Sequence, residues 1–297
     1  MLYLDETKLI QIFCDCDDFY KKYEQFIADK PIGIKKSNAH RKPSLAVSEV
    51  MTILIVYHLT GMKCFQYYYT ELVRKHFQSY FPGIVSYTRF IELIPRCMLP
   101  LWLFVNTNRT GKETGFYYGD SKKMPVCDNL RINRNKVFKG IAGRSKSSTG
   151  WFYGLKLFLV INQYGQIMRC IFSPADIADN NIDMMRKMFN KLQGYIFADK
   201  GFISKQAFEE FYQKGLKIVT TVKRNMKNKL MIMAERLALM KRGVIESVND
   251  LLMTICDIDH TRHRSPINAV VHGLAGVTAY TYLDKLPSIF AKKYDVK

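Results

Sequence analysis

Acidic residues are scarce in this chain. It has 26 Asp and Glu against 45 Lys and Arg in 297 residues, which gives a formal net charge of +19 and a sequence pI of about 9.5. A charge so far from zero is informative about partners, and the commonest polyanionic partner is nucleic acid. Hydrophobic residues make up 48% of the chain, which is enough to form a substantial core.

Paired cysteines and long apolar runs are also missing. None of the seven cysteines forms a CxxC pair and the start has no secretory signal pattern, so we expect a reduced, cytoplasmic setting. Cys14 and Cys16 are close in sequence, but no second thiolate pair completes a zinc site. The run at 50–57 is too short to span a bilayer. The run at 267–283 is rich in Gly and Ala, so we predict a close-packed core helix and no membrane segment.

The first 110 residues follow a helical pattern. Apolar residues recur at helical spacing, as at Ile53, Leu54 and Tyr57. The pattern continues over 87–105, where Pro95 and Pro100 predict a break into short pieces. A stretch rich in Asn, Thr, Gly and charge at 106–115 then indicates a domain boundary. We therefore expect an all-α N-terminal domain over residues 1–110.

After this boundary the pattern changes to short apolar strands alternating with helices. Strands are predicted at 116–120, 152–162, 166–173, 195–199 and 216–222. A Gln-Tyr-Gly turn between the second and third predicts an antiparallel hairpin. Helices are predicted at 180–193, 204–214, 230–256 and 266–283. Together these elements indicate an α/β fold, a mixed sheet flanked by helices, over 111–285, followed by a tail at 286–297.

Three carboxylates can converge in this second domain. Asp120 follows the aromatic run at 116–119, and Asp199 ends the predicted strand at 195–199. Aspartates at the ends of neighbouring strands can meet at one edge of a sheet. Glu246 lies in a predicted helix directly after the apolar Ile245. Such hard oxygen ligands suit Mg²⁺ or Mn²⁺, and two such ions can activate an attacking oxygen and stabilise a leaving oxygen in phosphodiester chemistry.

Two acid-free intervals surround these carboxylates. No Asp or Glu lies between Asp128 and Asp176, or from Phe211 to Ala234. The first interval contains Arg131, Arg134, Lys136, Lys139, Arg144, Lys146, Lys156 and Arg169. The second contains Lys214, Lys217, Lys223, Arg224, Lys227 and Lys229. Carboxylates between two basic stretches suit a phosphate-backbone substrate, because each neutralised phosphate releases counterions and adds affinity. The loop at 144–150 offers further donors, although a flexible solvated loop is an equal alternative.

An ordered set of motifs carries a family resemblance. Its parts are Asp120-Ser121, Arg131-Ile132, the segment GWFYGLKL at 150–157, DKGFIS at 199–204, Ile245-Glu246 and HTRHRSP at 260–266. In this order they resemble bacterial DDE-type insertion-sequence transposases, within them the insertion-sequence family numbered 982. The resemblance is strong over residues 110–285 and looser over the N-terminal helices.

The resemblance implies an RNase H-like catalytic domain in which Asp120, Asp199 and Glu246 bind Mg²⁺ or Mn²⁺ as two ions. The implied activity is cleavage of phosphodiesters at the ends of an insertion sequence, followed by attack of the freed 3′-hydroxyl on target DNA. The implied partners are double-stranded DNA with terminal inverted repeats and a second copy of the chain, in a bacterial cytoplasm at the nucleoid. For the N-terminal helices, DNA binding and dimerisation remain alternatives. The residues expected to contact DNA are Arg131, Arg134, Lys136, Lys139, Arg144, Lys146, Lys200, Lys223, Arg224, Arg242, Arg262 and Arg264.

The chain departs from the pattern of related families at two positions. Arg242 matches the basic residue four positions before the glutamate, but Leu239 replaces a tyrosine and Met253 replaces a lysine. Loss of a lysine removes a phosphate contact. These departures motivate an alternative function, a catalytically silent DNA-binding protein derived from a transposase.

Each carboxylate also has a plainer interpretation. Asp120 could form a turn, and Asp199 could cap the helix predicted at 204–214. Glu246 could be an exposed helix charge or an i,i+4 neighbour of Asp250. Asp250 is also the reserve third ligand, because it lies one helical turn from Glu246. The combination of three carboxylates, basic flanks and motif order favours the metal-binding interpretation.

Other polar and aromatic motifs have simple explanations. His260 and His263 have a spacing that would permit metal binding, but the arginines that alternate with them favour a basic loop. The tyrosines at 67–69 could stack on bases, although places in the helical core and on the helix surface explain them more simply. Four more aspartates fit turns and helix N-termini: Asp128, Asp176, Asp179 and Asp183.

Overall fold

The computed structural model describes residues 5–29, 44–147, 150–221, 231–259 and 264–290. The helices are α1 (Glu6–Ala28), α2 (Val47–Leu59), α3 (Phe65–Tyr67), α4 (Arg74–His76), α5 (Tyr87–Leu93), α6 (Met98–Thr107), α7 (Ile182–Met188), α8 (Lys205–Gln213), α9 (Met233–Met240), α10 (Gly243–Thr254) and α11 (Pro266–Tyr280). The strands are β1 (Phe116–Cys127), β2 (Gly143–Ser147), β3 (Gly150–Asn162), β4 (Ile167–Pro174), β5 (Gly194–Ala198) and β6 (Leu216–Thr220). A π-helix, Tyr68–Val73, joins α3 to α4.

The chain divides into two compact units. Unit 1 is Met1–Asn108 with Leu252–Leu283, and unit 2 is Arg109–Leu251 with Asp284–Lys297. The sequence placed 252–283 with the catalytic segment at 111–285, whereas the structure places this stretch in unit 1. The physical reason is α11, which is apolar on nearly every side and is buried against α2 and α6.

Unit 1 is helical in the parts that the structure describes. The predicted close-packed core helix is α11, where a Cβ on Gly276 would come within 2.2 Å of Ile258 Cγ2. The tyrosine cluster belongs to this core: Tyr68 and Tyr69 are fully buried, and their hydroxyls donate to backbone carbonyls of Ile53 and Val85. The core explanation for these two tyrosines is therefore supported.

The proline-containing stretch of unit 1 is only partly broken. Pro95 lies in a 3₁₀ turn, Ile94–Cys97, between α5 and α6, but Pro100 lies in the first turn of α6, where a proline displaces no helical hydrogen bond. By length and composition the whole run, Tyr87–Thr107, could cross a membrane, and half of its apolar window is buried in the structure. This is weak evidence for a membrane span, because the core helix of a globular protein passes the same test.

Unit 2 is built on a mixed sheet flanked by helices. The strand order is β2-β3-β1-β5-β6, with β4 also pairing with β3. β1 is antiparallel to β3 and parallel to β5, and β5 is parallel to β6. β2 pairs with β3 over 150–154 and β4 pairs with β3 over 155–161, so these two strands share one edge of β3. The predicted α/β class and the β3–β4 hairpin are confirmed.

Two local predictions in unit 2 were wrong. Residues 143–147 form strand β2 rather than a loop, because the free edge of β3 supplies its hydrogen-bond partners. The single helix predicted at 230–256 is two helices, α9 and α10, separated by a turn at Lys241 and Arg242. Gly243 follows that turn and favours the break, since glycine is a poor residue for a helix interior. Glu246 consequently lies in the first turn of α10 instead of mid-helix.

Candidate active site

Asp120 and Asp199 follow the last paired residues of two neighbouring parallel strands. The parallel register of β1 and β5 ends at Gly119 opposite Ala198, and each aspartate is the next residue along its chain. Asp120 continues within β1, whereas the chain leaves β5 after Ala198 and forms the 3₁₀ turn Lys200–Phe202. Because paired positions on neighbouring strands are about 5 Å apart, both carboxylates start from adjacent positions on β1 and β5. Asp120 nevertheless lies inside β1 and not at the strand end that the sequence predicted, because β1 stays paired with β3 beyond it.

The surroundings of Asp120 make the ionisation of its carboxyl group less favourable. Burial raises the pKa of this carboxyl to about 6, and the charges of Asp199 and Asp179 push in the same direction. The Arg242 guanidinium and the Ser121 backbone N–H act in the opposite direction but do not cancel the effect. Burial is therefore the main reason why the ionised form of Asp120 is costly in this structure.

Arg242 stands between the first and third predicted carboxylates. Its Nη2 donates to Glu246 Oε1 at 3.0 Å, and its Nη1 lies 3.9 Å from Asp120 Oδ1. The Arg242 and Asp120 side chains are each 22% exposed, whereas Glu246 is 60% exposed. The position of Glu246 in the first turn of α10 is favourable for a carboxylate, because backbone N–H groups face that end of a helix.

Asn249 is a contact of Asp120 that the sequence did not predict. It is 2% exposed, and its Nδ2 donates to Asp120 Oδ2 at 2.9 Å. Its Oδ1 is buried without a hydrogen-bond partner among the residues that the structure describes. Asn249 lies three residues after Glu246, a spacing that places both on one side of α10. The only local signal was a polar residue on the apolar face of the helix.

Asp179 is a second residue whose place near the site was missed. Its Oδ1 accepts from Ser121 Oγ at 2.9 Å and from Lys156 Nζ at 3.0 Å. A Cβ on Gly201, two residues after Asp199, would lie 3.1 Å from its Oδ2. The simple turn interpretation is thus incomplete: Asp179 lies in a turn between β4 and α7, and its side chain contacts Ser121 in the middle of β1 and Lys156 in the middle of β3.

The predicted ligands have the right chemistry for a divalent cation, but only two of the three lie close together. Asp120 and Asp199 provide carboxylate oxygens at adjacent strand positions, which is the ligand type that Mg²⁺ and Mn²⁺ prefer. Over the described parts of the chain, no three acidic, His or Cys side chains are close enough to hold a metal ion. Glu246 is paired with Arg242 instead.

The simpler structural roles considered for the carboxylates agree with the structure only in part. Asp120 lies in a continuous strand and forms no turn. Ser204 caps α8 with its own side chain, so Asp199 does not perform that role. Glu246 is an exposed helix charge, but its i,i+4 partner is Arg242. Asp250, the reserve ligand, is exposed.

The cations predicted to contact DNA lie mostly on the surface. Arg242 is half-buried beside the carboxylates, and Lys200 is exposed next to Asp199. The exposed residues of the first acid-free interval are Arg131, Arg134, Lys136, Lys139, Arg144 and Lys146. Arg264 is exposed in unit 1. Three of the predicted cations and both histidines of the 260–263 motif lie outside the described part of the chain: Lys223, Arg224, Arg262, His260 and His263.

Comparisons with known proteins identify the family of the chain. A family model described as "Transposase DDE domain" matches residues 110–266, more than half of the chain. Among solved structures, the chain is similar to a piggyBac transposase in a synaptic complex with hairpin DNA, with 12% identity, a TM-score of 0.47, and coverage of 95% of this chain and 72% of that one. No curated protein matches. On the extent of the family match, the chain belongs to the DDE-domain transposases.

Proposed function

We propose that this transposase cleaves phosphodiesters at the ends of an insertion sequence and joins the freed 3′-hydroxyl to target DNA. Asp120, Asp199 and Glu246 are proposed as the ligands of two Mg²⁺ or Mn²⁺ ions. The observation that carries the proposal is the placement of Asp120 and Asp199 directly after the last parallel pair of β1 and β5. Glu246 starts one helical turn after an arginine that already faces Asp120.

Divalent ions in such a site activate an attacking oxygen and stabilise a leaving oxygen. The protein's own residues supply the positions of the ligands. β1 and β5 fix the two aspartates through their shared register, and the Asn249 amide donates to Asp120 and orients its carboxylate. Lys156 donates a hydrogen bond to Asp179 and so holds a cation next to the carboxylate whose charge raises the pKa of Asp120.

Glu246 can join the other two carboxylates only if it leaves Arg242. Ion pairs of this exposed i,i+4 type contribute about 0.3–0.5 kcal/mol, so release costs little compared with the attraction of a divalent cation. The freed guanidinium, which presents several donors in a plane, is then available for a DNA phosphate near the site. Arg242 is therefore proposed to exchange a carboxylate for a phosphate when the site is assembled.

The proposed fold class is RNase H-like and the proposed group is the insertion-sequence family numbered 982. A mixed sheet with carboxylates directly after the last parallel pair of its central strands supports the first assignment. The motif order that ends in Ile245-Glu246 and HTRHRSP at 260–266 supports the second. Residues 111–285 are proposed to act as the catalytic segment, and residues 1–110 to bind DNA or to form a dimer.

The proposed partner is double-stranded DNA bearing terminal inverted repeats, held by a homodimer. The net charge of +19 supports a polyanionic partner. Among the described residues the six exposed cations of the first acid-free interval form no ion pair with a carboxylate, so their charges are available for phosphates. Lys200, directly after Asp199, is proposed to contact the phosphate next to the scissile bond.

The experiment that tests the proposal is cleavage of a labelled duplex carrying the ends of the element, with Mg²⁺, with Mn²⁺ and with EDTA. Wild-type protein should nick the duplex only with metal. Asp120→Asn, Asp199→Asn and Glu246→Gln should each bind the duplex with near wild-type affinity and fail to cut it. Cleavage by all three variants at the wild-type rate would refute the proposal.

A second function is supported by two substitutions within the family pattern. Leu239 and Met253 replace a tyrosine and a lysine that related families carry. A chain with these changes could occupy element ends without cutting them, as a catalytically silent DNA-binding protein. Metal-dependent nicking by the purified protein would exclude this alternative, whereas tight binding without nicking under every metal condition would favour it.

A further inference from the structure

The β2–β3 hairpin carries an exposed tryptophan beside two cations. Trp151 is 51% exposed and is paired in register with Lys146. Arg144 Cζ lies 5.0 Å and Lys146 Nζ lies 5.9 Å from the centre of the Trp151 ring, within the range of cation–π attraction. The ring is thus open to solvent on a regular strand and has a cation from each of two positions on the neighbouring strand within reach of its face.

The backbone around this ring is fixed by neighbouring elements. The Trp151 carbonyl accepts from Asn129 Nδ2 at 2.7 Å, which ties the start of β3 to the 3₁₀ helix Asn129–Arg134. That helix presents Leu130, which is 96% exposed, and two arginines of the first acid-free interval. The ring therefore lies on an ordered, basic surface, so little conformational entropy is lost when a ligand binds there.

The charges around the ring favour a polyanion. Arg144 and Lys146 form no ion pair with a carboxylate in the described parts of the chain, and no acid occurs between Asp128 and Asp176. Duplex DNA would use the cations but not the ring, because its bases are already stacked on one another. Unpaired bases expose their faces, and proteins that bind single strands combine aromatic rings with basic side chains in this manner.

We propose that Trp151 is a stacking site for bases of single-stranded DNA, with Arg144 and Lys146 contacting the adjoining phosphates. The inference rests on the proposed function, since it assumes that the protein acts on DNA. It adds a ligand that duplex cleavage alone does not require: an unpaired segment, which strand cleavage and joining can expose. The hairpin would hold such a segment through stacking and charge rather than through base sequence.

The chain contains only Trp102 and Trp151, which makes a direct optical test possible. The Trp102→Phe variant keeps Trp151 as its sole tryptophan, and Trp151→Phe keeps Trp102, which is 41% exposed and serves as the matched control. Each protein is titrated with an oligo-dT and with a blunt duplex of the same length. Tryptophan emission reports stacking, and anisotropy of a fluorescent label on the DNA reports binding.

The expected result is quenching of Trp151 emission by oligo-dT, and no quenching of Trp102. Trp151→Ala should weaken oligo-dT binding by roughly 5- to 150-fold, which corresponds to the loss of one stacked base, with Trp151→Phe retaining part of the affinity. Duplex binding should change little. Arg144→Gln and Lys146→Gln should each reduce the salt dependence of oligo-dT binding by about one unit of slope.

Three outcomes would overturn the inference. Duplex binding with no quenching of Trp151 by oligo-dT leaves the proposed function intact and removes the stacking site. Equal loss of oligo-dT and duplex binding in Trp151→Ala, together with a lower unfolding midpoint, assigns the ring a structural role. Failure to bind either DNA rejects the proposed function and the inference together.

Discussion

Replacing Asn249 by leucine tests whether the orientation of Asp120 matters for cleavage independently of stability. The change removes the Nδ2 hydrogen bond to Asp120 Oδ2, and a bond to a charged group contributes about 1.5–3 kcal/mol. It also removes the buried Oδ1, whose missing partner costs about 1–3 kcal/mol. Leucine has nearly the same size, so the net free energy of unfolding should change by no more than about 1–2 kcal/mol.

The effect of Asn249→Leu on catalysis should be much larger than on stability. Residues that orient a metal ligand typically change metal affinity or activity by about 10- to 100-fold when replaced. The assay is single-turnover cleavage of an element-end duplex across a Mg²⁺ titration, with urea unfolding of the same preparations. Ser247→Ala is the matched control, because Ser247 is exposed on the same helix and donates to the backbone of Gly243.

The reasoning would be refuted if Asn249→Leu cut DNA at the wild-type rate and with the wild-type Mg²⁺ dependence. It would also be refuted if the loss of cleavage followed a loss of folded protein, because the amide would then support the structure and not the carboxylate. Asn249→Asp gives a further check: a negative charge in place of the donor should repel Asp120 and reduce stability more than leucine does.

Three further predictions concern packing and charge. Lys156→Met should lower the free energy of unfolding, measured by urea titration, by about 1–3 kcal/mol, because it leaves a half-buried Asp179 without its cation. Adding Asp179→Asn should restore part of this loss. Strict additivity of the two changes would contradict the pairing. Gly276→Ala should lower the unfolding midpoint and cost about 1–3 kcal/mol, since its Cβ would overlap buried atoms; wild-type stability would contradict this close approach. Hydrogen bonds from Arg186 lower the pKa of Glu210 to about 2, so this carboxylate stabilises the fold above pH 4.5 and loses that contribution as the pH falls towards 2. Between pH 4.5 and 2, the stability of Glu210→Gln should therefore fall less steeply than that of wild type. An unchanged pH dependence would contradict the assignment.

The sequence predicted the parts of unit 2 whose signals are local. Alternating apolar runs located β1, β3, β4, β5 and β6, and their final residues led to Asp120 and Asp199. Strand β2 was missed because its own residues are basic and small, and it exists as a strand through pairing with β3. A periodic apolar pattern continued through Lys241 and Arg242, so it concealed the turn that separates α9 from α10.

Contacts between distant segments could not be read from the sequence. Asn249 and Asp120 are 129 positions apart, and nothing in either neighbourhood marks the other. Asp179 looked like a turn residue because it is one, and its contacts with Ser121 and Lys156 arise only after β1 and β3 are paired. The same holds for Arg242, whose pairing with Glu246 follows from helix spacing but whose approach to Asp120 does not.

The most direct test of the central claim is Mn²⁺ binding measured by electron paramagnetic resonance, with the element-end duplex present, in wild type and in single variants. We predict that Asp120→Asn, Asp199→Asn and Glu246→Gln each lose tightly bound Mn²⁺. Asp250→Asn, one turn after Glu246 and also exposed, should bind as wild type does. Undiminished Mn²⁺ binding in Glu246→Gln, or its loss in Asp250→Asn, would contradict the assignment of Glu246 as the third ligand.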